Sequence, residues 1–398
     1  MDLANAPKPS WRRGRAAAPA PPRAPCAPSQ LEAGRIVLLD AEALAEPGFR
    51  GQWESLAREA SVPNPFFEPF FLLPGLERWG RDARVTVKAY FVGGQLCGLY
   101  PVVRWRRYYG YPVAHATGWL HANAFCGTPL VARGHEEAFW RALLAHFDRS
   151  ARRALFLHLP QLPEGDAVGD ALEAVLAEQG RMRTVARRES RAMLASELSP
   201  EAYLEASMSA KKRKELRRQH KRLGEEGALT FERLEGEARL VQWTREFLAL
   251  EAAGWKGEAG SALASAEETR TFFAEALRGA AEGGRLERLA LRLDGRPVAM
   301  LANLIAQPGA FSFKTAFDER HARHSPGLLL QLENLALLER PGIAWADSCA
   351  VEGHSMIERL WREKRTLTSH NIAIGGPARR ALFAALMAWE NRHRRRPS

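Results

Sequence analysis

Residues 285–347 constrain the fold more than any other stretch of the chain. Three β-rich runs, 285–293, 297–306 and 310–317, are separated by Asp294-Gly295 and Pro308-Gly309, and read as a three-strand antiparallel meander. A helix is expected from Pro326 to about Glu339, stopped by Pro341-Gly342, with a short strand at 343–347. A meander, a helical crossover and a further strand require a sheet with helices packed on it, so the fold class is α/β or α+β.

The first half of the chain carries a similar texture. A hairpin is expected at 85–92 and 96–103 around Gly93-Gly94, then helices at 136–149 and 167–179 with an apolar strand, 154–159, between them. Trp53, Leu56 and Ala57 suggest an earlier helix, and Pro63, Pro65 and Pro69 punctuate an aromatic-rich loop at 66–71. The pattern of 87–102 echoes that of 289–304. Hairpins are common, so this echo is only weak support for an internal duplication. Ser199-Pro200-Glu201 reads as the start of a second unit: N-cap, N1 proline and acidic first turn. The expected organisation is a disordered tail at 1–30 with seven prolines, domains at 31–198 and 199–390, and a basic tail at 391–398.

The formal charge of +11 is concentrated in three places: +4 in 1–30, +7 in 211–222 and +4 in the last eight residues. The remainder is slightly acidic, so the global charge says little about nucleic acid. In the helix that carries this run the large apolar residues beyond Met208 are Leu216 and Leu223, a stripe too thin for a good membrane helix, and no aromatics interleave for single-strand stacking. A solvated helix face is the commonest fate of such a run. No window approaches 18 apolar residues, and Arg12-Arg13 is followed by Ala/Pro-rich sequence, so no membrane span and a cytoplasmic location are expected. Cys26, Cys97, Cys126 and Cys349 lack metal-ligand spacing; neither disulfides nor a metal site is expected.

The junction after the meander reads Asp318-Glu-Arg-His-Ala-Arg-His-Ser-Pro-Gly-Leu. Ser325 can cap, Pro326 is preset for the first helical position, and Gly327 lets a ligand approach the backbone. Free N–H groups and the positive helix end then suit an anion, with Arg320, Arg323, His321 and His324 adding charge. An ordinary capped helix with solvated arginines is the competing reading. Lys256 and Lys314 stand out because only nine of the 57 basic residues are lysine. Strand alternation leaves open whether Lys314, between Phe313 and Phe317, faces a cleft or solvent.

This arrangement resembles the acyl-CoA-binding half of the GNAT acetyltransferase superfamily, whose loop is Arg or Gln, two residues, Gly, one residue, then Gly or Ala. The nearest match here is His324-Ser-Pro-Gly327-Leu-Leu329, with Arg323 one place early. Ser325 to Leu330, Gly254-Trp-Lys-Gly257, Phe313-Lys-Thr-Ala-Phe-Asp318, Asp347-Ser-Cys-Ala350 and His354 to Trp361 with Arg365 resemble the cellulose-biosynthesis-associated branch, as does the basic helix at 211–222. The resemblance spans about residues 200–375. It implies two tandem GNAT-like units, the first degenerate, as in that branch and in the related Fem-type aminoacyl transferases.

The resemblance further implies acyl transfer from acetyl-CoA or another acyl-CoA to an amine or hydroxyl of a small molecule, saccharide or lipid-linked intermediate. Arg323, His324, Ser325, Gly327, Leu328 and Thr315 would hold the donor, and a backbone N–H near 314–316 would meet the thioester carbonyl. Trp255, Lys256, Lys314 and Asp318 would bind the acceptor. The family's thiolate-protonating tyrosine has no counterpart, since no tyrosine follows Tyr203. Asp347, Cys349 and His354, with Ser348 and Glu352 nearby, are the candidate replacements; a turn aspartate, a buried cysteine and a surface histidine are the competing readings. Two other functions stay open: a Fem-like transfer from aminoacyl-tRNA, and an inactive scaffold that binds polyanions through 211–222.

Overall fold

A computed structural model describes residues 34–394. The expected tail 1–30 lies outside the described residues, as do 395–398; residues 391–394 end a helix, Pro377–Arg394.

Thirteen strands form one mixed sheet: β1 (Arg35–Leu39), β2 (Thr86–Val92), β3 (Gln95–Trp105), β4 (His115–Gly118), β5 (Leu130–Val131), β6 (Phe156–Pro163), β7 (Arg183–Leu194), β8 (Leu229–Glu235), β9 (Leu286–Leu293), β10 (Arg296–Ala306), β11 (Gly309–Phe317), β12 (Trp345–Asp347) and β13 (Glu363–Ala373). Their order is β1-β2-β3-β4-β6-β13-β7-β12-β11-β10-β9-β8, with β5 beside β3. The order repeats from either end. Each half supplies four antiparallel strands and then a parallel one, β6 beside β4 and β12 beside β11. Each half then sends its last strand across. β13 lies between β6 and β7, and β7 lies between β13 and β12. The duplication suggested by two hairpins is thus a property of the whole strand order.

The turns behave as the sequence predicts. Asp294 and Gly295 both adopt positive φ between β9 and β10, and Gly93-Gly94 does the same between β2 and β3. The crossover helix is shorter than expected: it is α-helical over Pro326–Asn334 and tightens to a 3₁₀ turn over Leu335–Glu339. Asn334 marks the change. Its fully buried side chain accepts from Asn303 Nδ2 and donates to Ser312 Oγ and Gln331 Oε1, pinning the helix to β10 and β11.

The aromatic segment expected as a loop is a 3₁₀ turn, Pro65–Phe67, and a helix, Pro69–Gly75. Its rings reach into the second half: Phe66 meets Phe311 at 5.5 Å and Phe71 meets Phe272 at 5.0 Å, both edge to face. Each buried ring contributes about 1.5–3 kcal/mol.

At the same junction the buried Glu68 faces Arg285 Nε at 3.3 Å. Burial outweighs that cation and pushes the carboxyl from 4.5 up to about 7. The folded chain therefore holds a proton that the unfolded chain releases, and stability falls as pH rises from 4.5 to about 7. Urea unfolding is expected to show that fall in the wild type and a flatter profile in Glu68→Gln. Equal slopes would assign the pH dependence to another group.

Candidate active site

β11 and β12 pair only where Gly309, Ala310 and Phe311 face Trp345, Ala346 and Asp347. β12 ends there, whereas β11 stays paired with β10 as far as Phe317. Among the described residues, 312–317 therefore have a strand on one side and none on the other. The result is a wedge beside a free backbone edge, at the carboxyl end of two parallel strands, where open α/β sheets bind ligands.

A bulge aims the side chains along this edge. The β10–β11 register shifts between Ala302 and Asn303, so Ala302 faces Lys314, Asn303 faces Ser312, and Phe313 has no partner. Lys314 Nζ lies 5.3 Å from the centre of the Phe125 ring and 5.5 Å from that of Phe313. No carboxylate pairs with it among the described residues. Burial, then the charge of Lys256, brings its pKa from 10.5 down to about 8. Lys256 is itself paired with the buried Glu251 at 2.7 Å, whose other oxygen accepts from the backbone of Leu263. His121, stacked on Phe71, borders the same region; burial and Lys314 lower its pKa to about 3, so its ring is neutral.

Asp347 is fully buried and committed to the protein. Its oxygens accept from Arg365 Nη1 at 2.9 Å and the Cys349 backbone at 2.8 Å, and Arg191 Nη1 lies 3.6 Å away. Arg365 also stacks over Trp345 at 4.4 Å. Cys349 has a left-handed backbone, φ 53°, and burial and the Asp347 charge raise its thiol well above the usual range, which disfavours the thiolate. His354 is exposed in a turn outside this buried group. The sole tyrosine of the second half, Tyr203, is buried with its hydroxyl bonded to Glu363 at 2.6 Å and to the Arg362 N–H at 2.8 Å.

The helix start differs from the expected cap. Ser325 adopts a left-handed backbone, φ 52°, and its side chain makes no capping bond. Gly327 is buried: an added Cβ would sit 3.2 Å from Met356 Sδ and 3.3 Å from Phe317 Cδ1. A larger residue there would press on both side chains, so the helix start lies against the far end of the free β11 edge. Leu328 is core, and Thr315 is half-buried on β11 opposite Leu301. Asp318 is spent on the Arg320 backbone and guanidinium. Trp255 is 58% exposed at the start of a short helix, Trp255–Glu258, its N–H donating to Glu319. Arg323, His324 and His321 all converge on one carboxylate, Glu226, with His324 Nε2 at 2.8 Å and His321 Nδ1 at 3.1 Å.

Residues 210–354, which include the meander, the wedge and the crossover helix, match the acetyltransferase (GNAT) domain family. The matched segment has a GNAT fold, and the strand order of the first half repeats it. FemX resembles it with a TM-score of 0.53 at 11% identity, covering 82% of this chain and 96% of that one. A conserved protein of unknown function from Bacteroides thetaiotaomicron gives 0.51 at 14%, covering 82% and 97%. The C-terminal domain of a putative lysylphosphatidylglycerol synthetase from Agrobacterium fabrum gives 0.51 at 13%, covering 85% and 94%. No curated relative matches the sequence.

The GNAT wedge brings together Lys314, Asp347 and Cys349, with Lys256 one ion pair away through Glu251. It leaves His354 in its exposed turn. Phe125, His121, Arg191 and Glu226 have no local pattern that marks them, because the contacts that place them at the site come from distant parts of the chain; Glu251 was missed too, although its partner Lys256 lies five residues on. No helix among the described residues is long and apolar enough to cross a membrane.

Proposed function

We propose that the second half is an acyltransferase centre that moves an acetyl or longer acyl group from acyl-CoA to an amine or hydroxyl of a small molecule, a saccharide or a lipid-linked intermediate, in the cytoplasm. The observation that carries this reading is the wedge: a free strand edge ending against the start of a nine-residue helix. The pseudo-equivalent crossover helix of the first half, Glu136–Ser150, opens with Glu136 and Glu137, which already fill its positive end. The second-half helix opens with Ser-Pro-Gly and no acid in its first turn, so an anionic donor is better served there.

On this reading a β11 N–H near 314–316 polarises the thioester carbonyl while the acceptor attacks it. The acceptor's nitrogen or oxygen bonds to the acyl carbon as the C–S bond breaks, the acceptor gives up a proton, and the departing thiolate takes one up. Lys314 and the exposed Trp255 meet the acceptor, and the Lys314 ammonium, with its lowered pKa, exchanges protons near neutral pH. Lys256 and Asp318 hold their neighbours through Glu251 and Arg320. Asp347 orders the floor of the wedge. A role in polysaccharide assembly agrees with the cellulose-associated sequence resemblance.

Calorimetric titration with acetyl-CoA tests the donor. Wild type is expected to bind, and Arg323→Glu, at a side chain that is 72% exposed, to weaken binding by about tenfold. No binding by wild type at high micromolar concentration would overturn the reading. One observation favours a Fem-like alternative. The helix Ala210–Gly224 buries Leu216 and Leu223 and exposes Lys211, Lys214, Arg217, Arg218, Lys221 and Arg222. Tight, steeply salt-dependent binding of charged tRNA would support that alternative.

A further inference from the structure

We propose that Glu226 is a built-in competitor for a phosphate of the acyl donor and sets how tightly that donor binds; this rests on the acyl-CoA reading. Three basic side chains from the turn before the crossover helix, His321, Arg323 and His324, close around its carboxylate. His324, first among the causes, and then Arg323 hold that carboxyl down to about 2, so it is an anion at any working pH. A phosphate oxygen makes the same demands on these donors as a carboxylate oxygen.

Glu226 reaches the cage from a different segment of the chain. It lies in the turn between the basic helix and β8, and that turn is tethered. The Ala228 N–H donates to Asp294 Oδ1 at 2.8 Å, and a Cβ on Gly227 would sit 2.3 Å from Asp294 Oδ2. With the backbone fixed on its C-terminal side, the carboxylate leaves the cage by swinging its own side chain, which is 27% exposed. His324 is only 5% exposed and cannot turn to water instead. The vacated cage therefore takes another anion, and the nearest one on this reading is a phosphate of the donor, bound beside the helix start. Carboxylate and phosphate exclude one another, so donor affinity carries the cost of displacing Glu226.

The test compares CoA with pantetheine, which carries no phosphate, in wild type, Glu226→Gln and Glu226→Asp, with thermal unfolding of each as a check on folding. Glu226→Gln is expected to bind CoA about tenfold more tightly than wild type and pantetheine no better. Glu226→Asp, whose carboxylate is drawn back by one methylene, is expected to fall between them, and gives the same comparison should the Gln variant fold poorly. Equal CoA affinities in all three proteins overturn the competitor and leave the donor site standing. Tighter binding of pantetheine as well puts the effect outside the cage and also overturns it. If none of the three binds CoA, the donor reading fails and the competitor with it.

Discussion

Asp347→Ala is expected to lower stability by about 3–5 kcal/mol, because it leaves Arg365 buried without its anion and Arg191 with Glu189 alone. The two arginines come from β7 and β13, the strands that each half lends to the other, so the loss falls at the centre of the sheet. Asp347→Asn separates charge from chemistry. It keeps the size of the side chain and an oxygen for the Cys349 N–H, and is expected to destabilise by a similar amount, read as a shift in denaturant midpoint at unchanged slope. An Asn variant with wild-type stability and no transferase activity would instead make Asp347 a group that acts on substrate.

Lys314→Met is expected to have opposite effects on activity and stability. On the acyltransferase reading, turnover falls by about 100-fold or more. Stability at pH 7 rises, because a lysine whose pKa drops from 10.5 to about 8 on folding costs the fold roughly 3 kcal/mol at most, partly offset by its contacts with Phe125 and Phe313. The sign follows from proton uptake. Between pH 8 and 10.5 the unfolded chain binds the proton that the folded chain has lost, so wild-type stability rises across that window and the Met variant shows no such rise. A gain in stability with a loss of activity is the expected mark of a residue kept for function. A less stable, fully active Met variant would make Lys314 a structural residue.

The second half of the fold was legible because its turns are written in residues that tolerate few alternatives. Asp294-Gly295 and Pro308-Gly309 separate apolar runs, and the meander follows. β7 and β13 were not legible. They read as polar, with Arg187 and Arg188 in one and Thr368, Ser369 and His370 in the other, and each finds its partner in the opposite half of the chain. Lys314 could be singled out by rarity, but its direction depends on a bulge set by pairing with β10, which a period-two count does not contain. The basic cluster around Glu226 was half visible. His324 and Arg323 stood out, whereas Glu226, 98 residues away from His324, carries no local sign of the contact. Ser325 misled: it takes a left-handed backbone and its side chain makes no cap, whereas Ser199, which also precedes a proline, is extended and caps its helix.

The exchange of β7 and β13 sets an order of birth. When residue 198 has been made, β6 and β7 are both complete, but the strand that belongs between them begins at Glu363. Until the ribosome has added it, two inner strands of the final sheet present open edges, the kind of surface that pairs with the wrong neighbour. The amino-terminal half thus cannot finish folding as it emerges, and closure of the centre waits for β13. A holding chaperone in that interval would protect the nascent edges, and separate expression of either half would strand them permanently.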